Sequence, residues 1–446
     1  MNNDWNKNSW KFYPIKQQPL WPNQNLLNDV FNKISKLPAL VFAGETRSLE
    51  TEIADAASGK TFILQAGDCS EEFSRCNGVE IHDLLKVILQ MSIILSYAGE
   101  RKVVKIGRIA GQYAKPRSSS FENINGISIP SYRGDMVNCF EPSAEARRPD
   151  PNRIIEGYFR SAATLNLVRA FTSGGYASLE NVHGWSEASC HCYGSNIKYE
   201  DLVKGIKKTL AFMDSIGIGK KIPQLNQTSF YTSHEALLLD YEEALTRIDT
   251  TTGKWYDTSA HMLWVGDRTR QPEGAHVEFL RGVHNPIGVK VGPAFEIDEL
   301  KSVLAKLNPT NKKGRISLIT RLGACKIKDI LPELVREISR EGINVTWICD
   351  PMHGNTFKGS SGKKTRRYED IIREIREFWE ILKSEGSVPA GLHLELTGNA
   401  VTECIGGNSK ICFSDLELNY RSTCDPRLNA EQAVELAFEL AEIINE

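Results

Sequence analysis

The chain has 446 residues, 41% of them hydrophobic, and its 54 Lys and Arg against 56 Asp and Glu leave a formal charge of −2. That length can bury a large core, and the near-neutral balance excludes general nucleic-acid binding, which needs an excess of basic charge. No apolar run reaches the roughly 18 residues of a membrane span, the opening MNNDWNKNSW has no apolar signal core, and ten cysteines without a CxxC pair read as reduced thiols of a cytoplasmic protein.

Residues 1–50 have weak periodicity and read as an N-terminal extension. Trp10, Pro14, Pro19, Trp21 and Pro22 suggest an extended arm, with one helix near 25–36. Residues 51–446 read as one large α/β domain. A first buried-type strand is expected at 61–66, then a helix at 79–97 with Leu84, Leu85, Ile88, Leu89 and Ile93 on one side and Gly99 as its stop. The second strand is 102–107. A departure from the repeat follows at about 119–225, and residues 199–216 within it place Leu202, Ile206, Leu210 and Met213 at helical spacing. A connection this long with helices of its own reads as a helical insertion after the second strand.

The repeat then resumes. Strands are expected at 227–233, 261–266, 287–291, 316–321, 344–349 and 391–396, with helices at 235–246, 296–306, 326–340, 366–384 and 429–445. The last helix opens on Asn429 with Gln432 three residues on, a capping box. Eight strands alternating with helices predict an α/β fold, a TIM (β/α)₈ barrel with all C-terminal strand ends on one face. Polar groups gather at those ends: Asp68 and Cys69, Arg108, Asp267 and Arg268, Lys290, Arg321, Asp350 and His353, and Glu395.

Some motifs fail on inspection. His234-Glu235 begins like a zinc-protease HExxH, but Leu238 stands where the second histidine belongs. Gly217-Ile218-Gly219-Lys220 lacks the leading glycine of a P-loop, and Lys221 replaces the Ser or Thr. Cys190-His191-Cys192 has no second cluster to complete a metal site. What survives is a dispersed set. Cys69, His353, Glu395 and Asp425 offer a thiolate, an imidazole and two carboxylates, donors suited to a divalent first-row metal. A lone histidine after a strand is also commonly a packed structural residue. Beside them stand Arg108, Lys115, Arg117, Arg268, Lys290, Arg321 and Lys364. So many cations on one rim repel unless anions bind among them, and two phosphorylated substrates would supply such anions.

The segments QAGDCSEEF, KIGRIAGQYAKPRS, GDRTRQPEGAH, GVKVGP, TRLGA, CDPMHGNT, HLELTGNAVTECIGG and CDPRLN resemble motifs of the type II 3-deoxy-D-arabino-heptulosonate 7-phosphate (DAHP) synthases, as does the N-terminal SWKFYPIKQQPLWP. The resemblance covers essentially the whole chain. It implies condensation of phosphoenolpyruvate with erythrose 4-phosphate and water, the opening step of the shikimate route to aromatic amino acids. It implies Cys69, His353, Glu395 and Asp425 as ligands of Mn²⁺ or Co²⁺. It assigns Arg268, Lys290 and Arg321 to the phosphoenolpyruvate phosphate, Arg108 to its carboxylate, and the backbone N–H of Asp267 to the same substrate. The family often has Glu at that last position. Lys115, Arg117, Ser118 and Lys364 match positions around erythrose 4-phosphate, and Lys115 and His353 are the catalytic candidates. His393 is either a support for Glu395 or a packed histidine. The resemblance also implies a homo-oligomer (dimer or tetramer), and raises aromatic amino-acid effectors and chorismate mutase as partners. Cys424, next to Asp425, is a candidate for a redox pair with Cys69. Two other readings compete: a related condensation using arabinose 5-phosphate, and a silent sensor that retains the phosphate pocket.

Overall fold

The computed structural model describes residues 5–124, 126–177, 193–215, 227–359 and 362–446. Among them, eight parallel strands close into one barrel: β1 (Thr61–Gly67), β2 (Lys102–Arg108), β3 (Phe230–Glu235), β4 (Met262–Val265), β5 (Ile287–Val291), β6 (Ile316–Thr320), β7 (Thr346–Cys349) and β8 (Pro389–Glu395). Each pairs with its sequence neighbours, and β8 closes on β1. The expected α/β barrel is the fold. β1, β4, β5, β6, β7 and β8 are buried along their whole length. A sheet covered on both faces requires such continuous apolar runs.

Helices α1 (Gln24–Ile34) and α2 (Ala43–Ala57) precede the barrel. The repeat supplies α3 (Gly78–Gly99), the insertion supplies α4 (Asn152–Ser173) and α5 (Tyr193–Ser215), and the resumed repeat supplies α6 (Leu239–Leu245), α7 (Ala275–Gly282), α8 (Ile297–Leu307), α9 (Ile327–Arg340), α10 (Tyr368–Ser384) and α11 (Ala430–Asn445). α9 shows the logic of the outer layer. Its Ile327, Leu331, Leu334, Val335 and Ile338 are buried at helical spacing, and its other face is charged. α11 carries the expected capping box between Asn429 and Gln432.

Three helices were not legible beforehand: α2, α4 and α7. α2 plugs the N-terminal end of the barrel: Leu49, Ile53 and Ala56 pack against Ile63, Val104, Ile106, Tyr231, Met262, Ile319 and Ile348. Its apolar stripe is narrow, and Phe42 at its N-cap makes no side-chain cap hydrogen bond, so the sequence signal is faint. α4 likewise went unlocated inside the insertion, which also holds a hairpin of Phe121–Ile124 with Ile127–Pro130. In α5, Leu202 and Val203 are buried in the main core, so part of the apolar face anticipated there is covered within the chain. The side chains of Leu210 and Met213 lie outside the described residues, as do Cys190-His191-Cys192 and the Gly217–Lys221 stretch.

β3 ends two residues later than expected. His234, placed between strand and helix, and Glu235, read as the start of the helix, both belong to the strand. The buried His234 ring meets Glu242 at 3.0 Å, and that internal partner lets the strand continue through a polar residue. Among the described residues no helix is long and apolar enough to cross a membrane.

Candidate functional site

The barrel register brings the polar groups together. Gly67 of β1 stands level with Arg108 of β2 and Glu395 of β8. At Gly67 (φ 149°) a Cβ would come within 2.6 Å of the Arg108 carbonyl oxygen, so only glycine permits this close approach. The chain then delivers Asp68 and Cys69 over the rim.

A cleft of about 410 Å³ opens at the C-terminal strand ends. Its lining includes Arg108, Lys115, Arg117, Ser118, Asp267, Arg268, Lys290, Arg321, His353, Lys364, Cys424 and Asp425. Cys69 and Glu395 lie beneath, fully buried. Every site residue expected from the sequence therefore belongs to the cleft or to its floor.

Two overlapping groups could hold a cation. The donor atoms of Cys69, Cys424 and Asp425 lie within 4.8 Å of one another, as do those of His353, Glu395 and Asp425. Asp425 joins the two, and the mixed sulfur, nitrogen and oxygen donors suit a divalent first-row ion. The His353 ring is oriented from behind. Its Nδ1 lies 2.7 Å from Asp350 Oδ2, and its Nε2 lies 3.1 Å from Glu395 Oε1. With Asp350 accepting from Nδ1–H, Nε2 is the nitrogen that faces the donor group.

The carboxylates are held as anions. Burial works against charge on Glu395, but His353, Arg366 and Arg108 hold its carboxyl well below the ordinary range. Arg108 donates to its Oε1 at 2.8 Å and Arg366 to its Oε2 at 2.7 Å. Asp425 is likewise lowered against burial, chiefly by Lys115 and Lys364, and Lys364 Nζ lies 2.7 Å from its Oδ1. Burial and the neighbouring Cys424 push the Cys69 thiol well up. Lys115 donates to that sulfur at 3.0 Å and keeps its own charge, because Cys69, Cys424, Glu395 and Asp425 outweigh its burial.

Across the cleft, Lys290 contacts Asp350, and Arg321 lies 3.3 Å from Asp267. Asp267 is also 3.1 Å from Arg270. Arg268 donates to Ser118 Oγ at 3.0 Å, so it stands beside a residue expected to serve the other substrate. The guanidinium of Arg108 lies 5.2 Å over Trp264, a cation–π platform on the cleft wall.

Sequence reasoning missed several of these participants. Arg366 is fully buried and ties Glu395 to the Pro426 carbonyl and to Thr356, yet it reads as one cation of a surface-like KKTRR run. Glu235 lines the cleft with Oε1 lacking a hydrogen-bond partner, and burial raises its carboxyl. Glu374 of α10 accepts from the N–H groups of Leu322 and Gly323 and from Asn355, clamping the loops that carry Arg321 and His353. His393 is buried between Gln65, at 2.7 Å from its Nδ1, and Arg108. It therefore supports Arg108 and reaches Glu395 only through that arginine.

Known proteins resemble this chain along its length. The family described as the class-II DAHP synthetase family matches residues 5–441. A phospho-2-dehydro-3-deoxyheptonate aldolase of Streptomyces coelicolor is 47% identical over 436 residues, covering 98% of this chain and 96% of the relative. One from Neurospora crassa is 45% identical over 454 residues, covering 98% and 94%. A solved structure, the truncated form of 3-deoxy-D-arabino-heptulosonate 7-phosphate synthase from Thermotoga maritima, aligns over 86% of each chain at 13% identity with a TM-score of 0.34.

Proposed function

Because the chain belongs to the class-II DAHP synthetase family, an enzyme family, we propose that it condenses phosphoenolpyruvate with D-erythrose 4-phosphate and water, releasing DAHP and inorganic phosphate in the cytoplasm. The observation that carries this reading is one cleft holding cations on two sides of a buried donor set. Two phosphorylated substrates would neutralise those cations while their reacting carbons meet over the donors. The product is the first intermediate of the shikimate route.

Arg268, Lys290 and Arg321 grip the phosphoenolpyruvate phosphate, Arg108 its carboxylate, and Arg268 stands beside Ser118 at the boundary between substrates. The Asp267 N–H contributes on the same side. Lys115, Arg117, Ser118 and Lys364 receive the aldose phosphate end. C3 of phosphoenolpyruvate bonds to the aldehyde carbon, water oxygen is added at C2, and phosphate leaves from C2. Lys115 is placed to give a proton to the new hydroxyl oxygen. Glu235 faces Lys115, Lys290, Arg268 and His353 and is placed to take a proton from the water. Cys69, His353, Glu395 and Asp425 would hold Mn²⁺ or Co²⁺, which when bound polarises the aldehyde carbonyl.

The test is phosphate release from both substrates with and without Mn²⁺, with arabinose 5-phosphate as the comparator. Release only with arabinose 5-phosphate, or none with either aldose, would overturn the reading.

A pH dependence follows from Lys290. Burial lowers its ammonium to about 8, against the pull of Asp350. A lysine so lowered is charged below that value and neutral above it, so phosphate binding weakens as pH rises. We expect kcat/KM for phosphoenolpyruvate to fall about tenfold per unit above the Lys290 pKa, since this ratio reports the free enzyme. A profile flat to about pH 9.5 would remove Lys290 from that role.

The same reading extends to regulation and assembly. A homo-oligomer, dimer or tetramer, is supported by Phe12 and Leu20 of the N-terminal arm, which are 88% and 92% exposed. Aromatic amino-acid effectors and chorismate mutase enter as partners from the family resemblance, with the insertion as the expected regulatory element. For Cys69 and Cys424, we propose a reversible disulfide in the metal-free enzyme, supported by sulfurs within 4.8 Å. Oxidising apo and Mn²⁺-loaded enzyme in parallel should yield the crosslink in the apo form alone. A Cys424→Ser variant inactivated by oxidant as fast as its parent, with no crosslink in that parent, would end the idea.

A further inference from the structure

Arg117 is the cleft cation with the most unusual support. Its guanidinium donates to Glu122 Oε2 at 2.7 Å, and its backbone N–H donates to Gln17 Oε1 of the N-terminal arm at 2.8 Å. Glu122 sits on the first strand of the insertion hairpin, opposite Ile129, and also lines the cleft. Its other oxygen, Oε1, accepts from Arg147. One carboxylate thus serves two guanidiniums, each on its own oxygen.

The two arginines differ in their surroundings. The Arg117 side chain is 21% exposed and Arg147 only 1%. Arg147 also donates from Nε to the carbonyl of Glu141, at 2.9 Å, and from Nη2 to that of Phe140, at 2.7 Å. Its guanidinium also lies 5.5 Å over Tyr132 and 5.4 Å over Phe140. A buried guanidinium with all three nitrogens engaged cannot swing away without stranding its charge. Arg147 therefore fixes Glu122, and Glu122 fixes Arg117.

An isolated exposed ion pair contributes little, since ordering two long side chains offsets the attraction. Here one end of the chain of charges is already ordered by the core of the insertion. A substrate phosphate arriving at Arg117 would then meet a guanidinium whose rotamers are restricted beforehand, and binding loses less entropy.

We infer that Glu122, anchored by Arg147, is a positioning residue that presets Arg117 for the phosphate of the aldose substrate. This rests on the proposed seating of that phosphate beside Arg117. It adds to that reading a specificity element contributed by the insertion rather than by a barrel strand. Glu122 touches no reacting atom, and its effect is confined to one substrate.

The experiment compares Glu122→Gln, Glu122→Asp, Arg117→Ala and the Arg117→Ala/Glu122→Gln double variant in the full-length enzyme loaded with Mn²⁺. Glu122→Gln is expected to raise KM for erythrose 4-phosphate about tenfold, the scale of one lost charge-assisted contact. KM for phosphoenolpyruvate stays put, while the melting temperature falls, because buried Arg147 loses its countercharge. Glu122→Asp keeps the charge and recovers part of the loss. The double variant is no worse than Arg117→Ala alone, since coupled residues are not additive. A Glu122→Gln enzyme with unchanged erythrose 4-phosphate KM, while Arg117→Ala raises it, overturns this inference and leaves the proposed function standing. Both KM values rising together would mean a merely structural glutamate. An Arg117→Ala enzyme with unchanged erythrose 4-phosphate KM would overturn the seating itself.

Discussion

Stripping the divalent ion with a chelator is expected to lower turnover by roughly 10³-fold, and Mn²⁺ or Co²⁺ to restore it; several kcal/mol of Lewis-acid stabilisation converts to that factor. His353→Ala should cause a similar loss that added metal restores poorly. The expectation rests on the donor set rather than on histidine in general. His353 Nε2, Glu395 and Asp425 converge within 4.8 Å, and Asp350 holds the imidazole from behind. Alanine at 353 removes one donor and leaves the Asp350 carboxylate with Lys290 as its partner. His353 sits on a short turn beyond β7 and is partly exposed, so folding should survive its loss. Phosphate release and metal content measured on the same samples separate a lost ion from a damaged barrel. Full activity in demonstrably metal-free enzyme would sink the assignment of this site.

Arg108→Ala should be nearly as severe. The guanidinium is 1% exposed and reaches Glu395 at 2.8 Å, the Asp68 carbonyl at 3.0 Å and the His393 ring. Its removal takes away the proposed partner of the phosphoenolpyruvate carboxylate and one of the two guanidiniums that stabilise buried Glu395, the other being Arg366. Breaking a buried ion pair costs about 3–5 kcal/mol, so kcat/KM for phosphoenolpyruvate should fall by roughly 150- to 5,000-fold. Metal affinity should also drop, because Glu395 loses part of the charge that keeps it ionised. Arg108→Lys should recover only part of the activity, since an ammonium cannot reproduce the planar fork. If the change appeared only in the erythrose 4-phosphate dependence, the division of the cleft between the two substrates would be wrong.

The barrel was legible because its strands are buried on both sides. ISLIT, IGVKV and GLHLE are near-continuous apolar runs with polar residues at their ends, and the helices between them keep a 3.6-residue stripe. Glu235 was less legible. Its strand carries threonine, serine and histidine before the glutamate, so the run looks finished too early. The polar residues are tolerated because Ser233 reaches the Gly107 carbonyl and His234 reaches Glu242, partners that linear reading does not display.

The amino-acid sequence by itself determined the alternation of strands and helices, the class of fold, the list of residues at the strand ends and, through its motifs, the family. These are local properties: hydrophobic period, turn chemistry and short strings of identity. Only the tertiary structure decided which charges are partners. Glu395 meets Arg108, His353 and Arg366 from three different parts of the chain. Arg117 is held by a glutamate that an insertion arginine holds in turn. In one dimension a buried arginine and a solvated one are the same letter. What separates them is the cost of leaving a charge unpaired away from water, and that cost exists only once the barrel has closed around it.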